Sequence, residues 1–196
     1  MAFMPFNLPI FLTWLRIILI PLVVGVYYLP TSWLSAYQQN LIATVIFVVA
    51  ALTDWLDGWL ARRLDQTSRF GAFLDPVADK LMVTAALLVL LELQRINAAI
   101  ALIIVGREIT ISALREWMAQ IGASKSIAVN SLGKFKTILQ MVAIPMLLFN
   151  HWFLFFDSGW LGTRLVYVSA VLTVWSMLYY MKLAWPQIRA NSEGEP

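Results

Sequence analysis

Residues 54–80 read DWLDGWLARRLDQTSRFGAFLDPVADK. Five of the chain's eleven carboxylates fall in this one stretch. LIATVIFVVAALT stands immediately before it and LMVTAALLVLLEL immediately after. Acids wedged between two such apolar runs need a physical reason, and the reason decides how the rest of the chain is read.

Working outward, the surroundings are those of a membrane. The chain has 196 residues, 61% hydrophobic and 13% charged, with a mean hydropathy of +0.77. A soluble domain carries about 25% charged residues. Lipid offers backbone groups no hydrogen-bond partners, so only helices or closed barrels span it. The apolar runs here are long and do not alternate, which predicts an all-α integral membrane protein. Six spans are expected, at roughly 9–29, 39–62, 69–93, 98–118, 132–150 and 161–185, each near the ~20 residues a bilayer needs. No repeat or long linker interrupts them, so residues 1–196 read as one domain, with a polar tail from about 190. The first apolar stretch has no basic leader and reads as a retained helix rather than a signal peptide.

Lys and Arg set the orientation. Arg62, Arg63 and Arg69 lie in the second-to-third connection, Arg115, Lys125, Lys134 and Lys136 around the fourth-to-fifth, and Lys182 and Arg189 near the C-terminus. The alternate connections hold only Arg95 and Arg164. Both termini and the acidic stretch are therefore expected on the cytoplasmic side. Trp33, Trp152 and Trp160 suit the opposite interface. A net charge of +3 gives no reason to expect a nucleic-acid partner, and the chain has no cysteine for disulfides or thiolate metal sites.

A helix advances about 100° per residue, so Asp54, Asp57, Gly58, Ala61 and Arg62 share one face, and Gly71, Asp75 and Asp79 share another. The short turn between them makes the two helices antiparallel, with the acid stripes able to face each other. Asp65 lies in the turn, off both stripes, as a loop cap. Four close carboxylates raise one another's pKa unless a cation compensates them. Hard oxygen donors favour magnesium, calcium or manganese, ions that commonly clamp phosphates in phosphoryl-transfer sites. The alternative is a salt-bridge network with Arg62, Arg63, Arg69 and Lys80. For the glycines and Ala61 the alternative to a ligand pocket is close helix packing.

The spacing Asp-x2-Asp-Gly-x2-Ala-Arg-x8-Gly-x3-Asp-x3-Asp, here Asp54, Asp57, Gly58, Ala61, Arg62, Gly71, Asp75 and Asp79, resembles the signature of the CDP-alcohol phosphatidyltransferases. NLPIFLTWLRIILIP, GREITISALREW and SLGKFKTILQM look like the bacterial subfamily that makes phosphatidylglycerophosphate. The resemblance implies transfer of the phosphatidyl group from CDP-diacylglycerol to sn-glycerol 3-phosphate, with release of CMP. Metal ligands would be Asp54, Asp57, Asp75 and Asp79, holding Mg2+ or Mn2+ as two ions. Asp79 would also be the general base. Asp57, Gly58, Ala61, Arg62 and Gly71 would bind CDP-diacylglycerol. A homodimer in the inner membrane of a bacterium, working at its cytoplasmic face, is implied as well. Serine or inositol phosphate is the alternative acceptor within the family. A divalent-cation transporter is the alternative outside it, though no acidic ladder continues towards the other face.

The acceptor's own phosphate calls for cations. Arg107, Arg115, Lys134 and Lys136 are the candidates. Anchoring to anionic lipid is the competing role for the lysines, and pairing with Glu108 is the competing role for Arg107. Arg16, inside the first span with Thr13 nearby, has two suitable destinations: the acceptor cavity or a structural hydrogen-bond partner. His151 and Glu92 read as interfacial or solvated positions. Pro21 and Pro145 are expected to kink their spans.

Overall fold

The computed structural model describes residues 8–64, 69–121 and 131–192. Asp65, Lys125 and the tail beyond Ser192 lie outside the described residues. Six helices make up nearly all of what is described. They are α1 (Leu8–Gly25, continued by a 3-10 turn at Val26–Tyr28), α2 (Ala36–Leu64), α3 (Arg69–Glu92), α4 (Ala98–Gln120), α5 (Ser131–Phe149) and α6 (Ser158–Ser192). Strands β1 (Trp152–Phe153) and β2 (Phe156–Asp157) pair antiparallel between α5 and α6.

Among the described residues, three helices contain segments long and apolar enough to cross a membrane: Ile10–Tyr28 in α1, Ala36–Asp57 in α2 and Ser158–Pro186 in α6. A shorter apolar segment, Phe135–Phe149, lies in α5. Charged residues inside α3 (Asp75, Asp79, Lys80) and α4 (Arg107, Glu108, Arg115) interrupt their apolar runs. The distribution of side chains is that of a lipid-facing molecule. Leu52, Trp55, Leu102, Val171 and Trp175 are exposed, while Arg16, Asp57, Arg107, Lys136, Ser169 and Thr173 are buried.

α1 shows why the bundle forms as it does. Ile10, Thr13, Arg16, Val23 and Val26 are buried at the three- and seven-residue spacing of one helix face. That face packs along both α2 and α3, whereas α2 and α3 touch each other less. The expected direct facing of the two acid-bearing helices is thus modified, because α1 stands against both. α5 and α6 form the most extensive pair, and α4 leans on α6. The main core joins Phe47, Leu87, Leu90, Ile144, Leu148 and Val166. Lipid is as apolar as these side chains, so close packing rather than water exclusion holds them together.

The helix ends are built locally. Asn97 accepts from the Ile100 amide at 2.9 Å and caps α4. Gln94 and Asn150, just past α3 and α5, take positive φ values of 57° and 48°, the left-handed turn that commonly closes a helix. Arg95 then donates to the Leu147 and Leu148 carbonyls at 2.9 and 2.6 Å, and to Asn40 Oδ1 at 2.8 Å. It thereby ties the α3–α4 connection to α5 and α2. The break expected at HWFLFFDSGW contains the small hairpin, which carries Leu154 and Phe155 at its largely exposed tip. α2 and α6 run past their expected spans. Apolar content ends at the first charges, but backbone hydrogen bonding continues beyond them. The helices also run through Pro21 and Pro145.

Candidate active site

Two clusters of charge lie side by side. The first contains the signature acids. Arg16, with 0% of its surface exposed, forms an ion pair with Asp57 and lies 2.5 Å from Asp54 Oδ1. Thr13, one turn earlier on the same face of α1, donates to Asp75 Oδ1 at 2.7 Å. Three carboxylates from two helices are therefore held by two side chains of a third. A lone guanidinium inside an apolar helix is expensive, and so is a lone carboxylate; each removes much of the other's penalty. Of the two destinations weighed for Arg16, a structural partner is found, and Arg16 does not border the cavity described below.

Asp79 differs from the other three. It makes no hydrogen bond or ion pair among the described residues, and it is half-buried. The charges of Asp54 in the first cluster and Glu108 in the second both act on it, which places it between the two.

The second cluster comes from α4 and α5. Glu108 Oε1 receives Arg107 Nη1 at 2.5 Å and Lys136 Nζ at 3.3 Å. Arg107 and Lys136 are both buried, Lys136 to 1% exposure. A cavity of about 420 Å³ opens beside them, lined among others by Asp79, Lys80, Arg107, Glu108, Arg115 and Gln140. Arg107 and Arg115, eight residues apart, share a helix face as their spacing predicts, and both reach this cavity. Arg107 thus pairs with Glu108 and also borders the cavity. Lys136 is buried and turned towards Glu108 rather than exposed at the surface. The side chains of Gly58, Ala61, Arg62 and Lys134 lie outside the described residues, while Gly71 is buried.

The donor set suits a hard divalent cation, since carboxylate oxygens prefer magnesium or manganese to softer metals. As the side chains stand, no three Asp, Glu or His residues among those described converge on one point. Asp54 and Asp57 turn towards Arg16, and Asp75 towards Thr13.

Comparison with known proteins decides the family. The family model described as CDP-alcohol phosphatidyltransferase matches residues 6–175. The chain belongs to the CDP-alcohol phosphatidyltransferase family. Its relatives include proteins named CDP-diacylglycerol–glycerol-3-phosphate 3-phosphatidyltransferase. That of Haemophilus influenzae is 49% identical over 186 residues, covering 92% of this chain and 95% of the relative. The Salmonella choleraesuis protein of that name is 48% identical over 185 residues, covering 92% and 96%. A Shigella flexneri protein of that name is 49% identical over the same length and coverage.

Within this member of the CDP-alcohol phosphatidyltransferase family, the signature spacing foretold which acids lie on one stripe. It did not reveal what holds them. Thr13 and Arg16 carry a signal in hindsight, two polar residues three apart in an apolar helix, but spacing alone cannot say which neighbour they meet. Gln140 was missed altogether. It lies one turn after Lys136 on α5, a placement that sequence could have flagged.

Proposed function

We infer that the chain is a phosphatidyltransferase of phospholipid biosynthesis. It transfers the phosphatidyl group from CDP-diacylglycerol to sn-glycerol 3-phosphate, giving phosphatidylglycerophosphate and CMP. The names of its relatives, at about half identity over nine-tenths of the chain, support both substrates. The observation that carries the chemistry is Asp79. It is the one signature acid without a hydrogen bond or ion pair among the described residues, and it borders a cavity lined by Arg107 and Arg115.

In this reading the acceptor's phosphate sits against Arg107 and Arg115, with Lys134 and Lys136 adding positive charge. Its free primary hydroxyl points to Asp79. Asp79 takes the proton as the hydroxyl oxygen attacks the phosphorus that bears diacylglycerol. The bond from that phosphorus to the CMP oxygen breaks, and CMP leaves with the electron pair. Asp57, Gly58, Ala61, Arg62 and Gly71 bind the cytidine and phosphates of the donor. Asp54, Asp57, Asp75 and Asp79 would hold Mg2+ or Mn2+, as two ions, by exchanging Arg16 and Thr13 for metal. Bound there, the metal neutralises charge on the donor phosphates and on the departing CMP.

The same reading makes residues 1–196 one domain that crosses a bacterial inner membrane six times. The Lys and Arg bias supports both termini and the acid end at the cytoplasmic face. There a lipid donor and a water-soluble acceptor can meet. A homodimer is proposed on the family resemblance alone.

Purified protein given CDP-diacylglycerol, Mg2+ or Mn2+ and labelled sn-glycerol 3-phosphate is expected to yield labelled lipid, and chelation is expected to stop it. Incorporation of serine or inositol phosphate in place of glycerol 3-phosphate would overturn the acceptor assignment.

A further inference from the structure

The lining of the acceptor-side cavity holds a buried neutral polar group that the reaction above does not use. Gln140 on α5 is only 5% exposed, yet it borders the cavity. Its carboxamide makes no hydrogen bond among the described residues. Its polar atoms are not among the fully enclosed unpaired ones, so the amide stays open to the cavity, where a ligand or water can meet it.

The neighbours narrow the ligand. Lys136, one turn earlier on the same face, is committed to Glu108. Arg107, Arg115 and Lys80 supply positive charge, and Asp79 and Glu108 negative charge. Apart from the largely exposed Thr137, Gln140 is the neutral polar side chain of this lining, and it can both donate and accept. A neutral hydroxyl, itself donor and acceptor, can use both halves of the amide, whereas a phosphate would use only its N–H donors.

Glycerol 3-phosphate carries three polar parts. The phosphate suits the arginines, and the attacking primary hydroxyl suits Asp79. The secondary hydroxyl between them has no assigned partner. We propose that Gln140 hydrogen-bonds this secondary hydroxyl and so selects a three-carbon acceptor that bears one. The inference rests on the functional reading given above and adds a specificity determinant to it.

The test compares kcat/KM for sn-glycerol 3-phosphate with that for 3-hydroxypropyl phosphate. The second acceptor has the same phosphate and primary hydroxyl but no secondary hydroxyl. The unaltered protein is expected to prefer glycerol 3-phosphate by about tenfold, the scale of one lost neutral hydrogen bond at a buried partner. Gln140→Leu, close in size but apolar, should lose about tenfold on glycerol 3-phosphate and stay within about twofold on the analogue, abolishing the preference. Turnover of the analogue shows that the variant is folded. Gln140→Glu keeps an oxygen acceptor and is expected to keep the preference. Retention of the full preference by Gln140→Leu overturns the proposal, as does the absence of any preference in the unaltered protein. If neither three-carbon acceptor is used by the unaltered protein, the functional reading itself fails, and this inference with it.

Discussion

Arg16 and Arg95 make an instructive pair. Arg16 is fully buried and Arg95 half-buried, towards opposite ends of α3. Arg16 meets the formal negative charges of Asp54 and Asp57. Arg95 meets neutral oxygens: two carbonyls at the C-terminal end of α5 and the side chain of Asn40. The α5 carbonyls lie at the negative end of a helix dipole and gain from a cation, but they have nothing else to bind. The aspartates do. In the proposed reading, one arginine belongs to a cluster whose partners would be exchanged for metal, and the other to a fixed fastening between helices.

The comparison is sharpened most by a change beside Arg16 rather than at it. Asp79→Asn should lower kcat by about a thousandfold, within the usual range for loss of a general base. The variant should elute from size exclusion as the unaltered protein does. Near-normal turnover would remove Asp79 from the base role.

Arg16→Ala strips buried Asp57 of its guanidinium partner, which typically costs about 3–5 kcal/mol. The apparent Tm in detergent with chelator should fall accordingly, and saturating Mn2+ should recover much of the loss. An equal fall with and without Mn2+ would mean that Arg16 is a fastening like Arg95, and the contrast would collapse.

Arg107→Ala removes a charge-assisted contact worth about 1.5–3 kcal/mol. It should raise the KM for glycerol 3-phosphate by about tenfold to a hundredfold while leaving that for CDP-diacylglycerol nearly unchanged. A KM effect confined to the donor would move Arg107 out of the acceptor site.

Arg95→Ala should have the smallest effect on chemistry. It leaves partly buried oxygens unpaired, at about 1–3 kcal/mol. Thermal stability should drop by the same amount with metal or with chelator, and kcat at saturating substrate should stay within about twofold. Metal-dependent recovery in this variant would break the distinction from the other side.

Much of this was legible in the sequence, for identifiable reasons. Helical spacing is a local property, so the residue order alone groups Asp54 with Asp57, Asp75 with Asp79, and Arg107 with Arg115. Helix–helix pairing is not local. Nothing in the first span says that Thr13 meets Asp75 or that Arg16 meets Asp57, 62 and 41 residues away. Charge counting could not show that Lys136 is buried, because the counter-ion that pairs with it comes from another helix. Gln140 carries no charge and sits in an apolar helix, so neither composition nor charge patterning singles it out. The hairpin at Trp152–Asp157 was hidden by its own apolar residues, which read simply as an interfacial break.

The Arg16–Asp57 pair also bears on how the chain is made. Synthesis delivers Arg16 first, and its carboxylate follows 41 residues later. An arginine at the centre of a lone membrane helix is opposed by about 2.5–3.5 kcal/mol on insertion scales. The rest of that helix is apolar enough to outweigh this cost, and the second helix, arriving with its acids, relieves it. The ion pair thus joins the first two helices to be made.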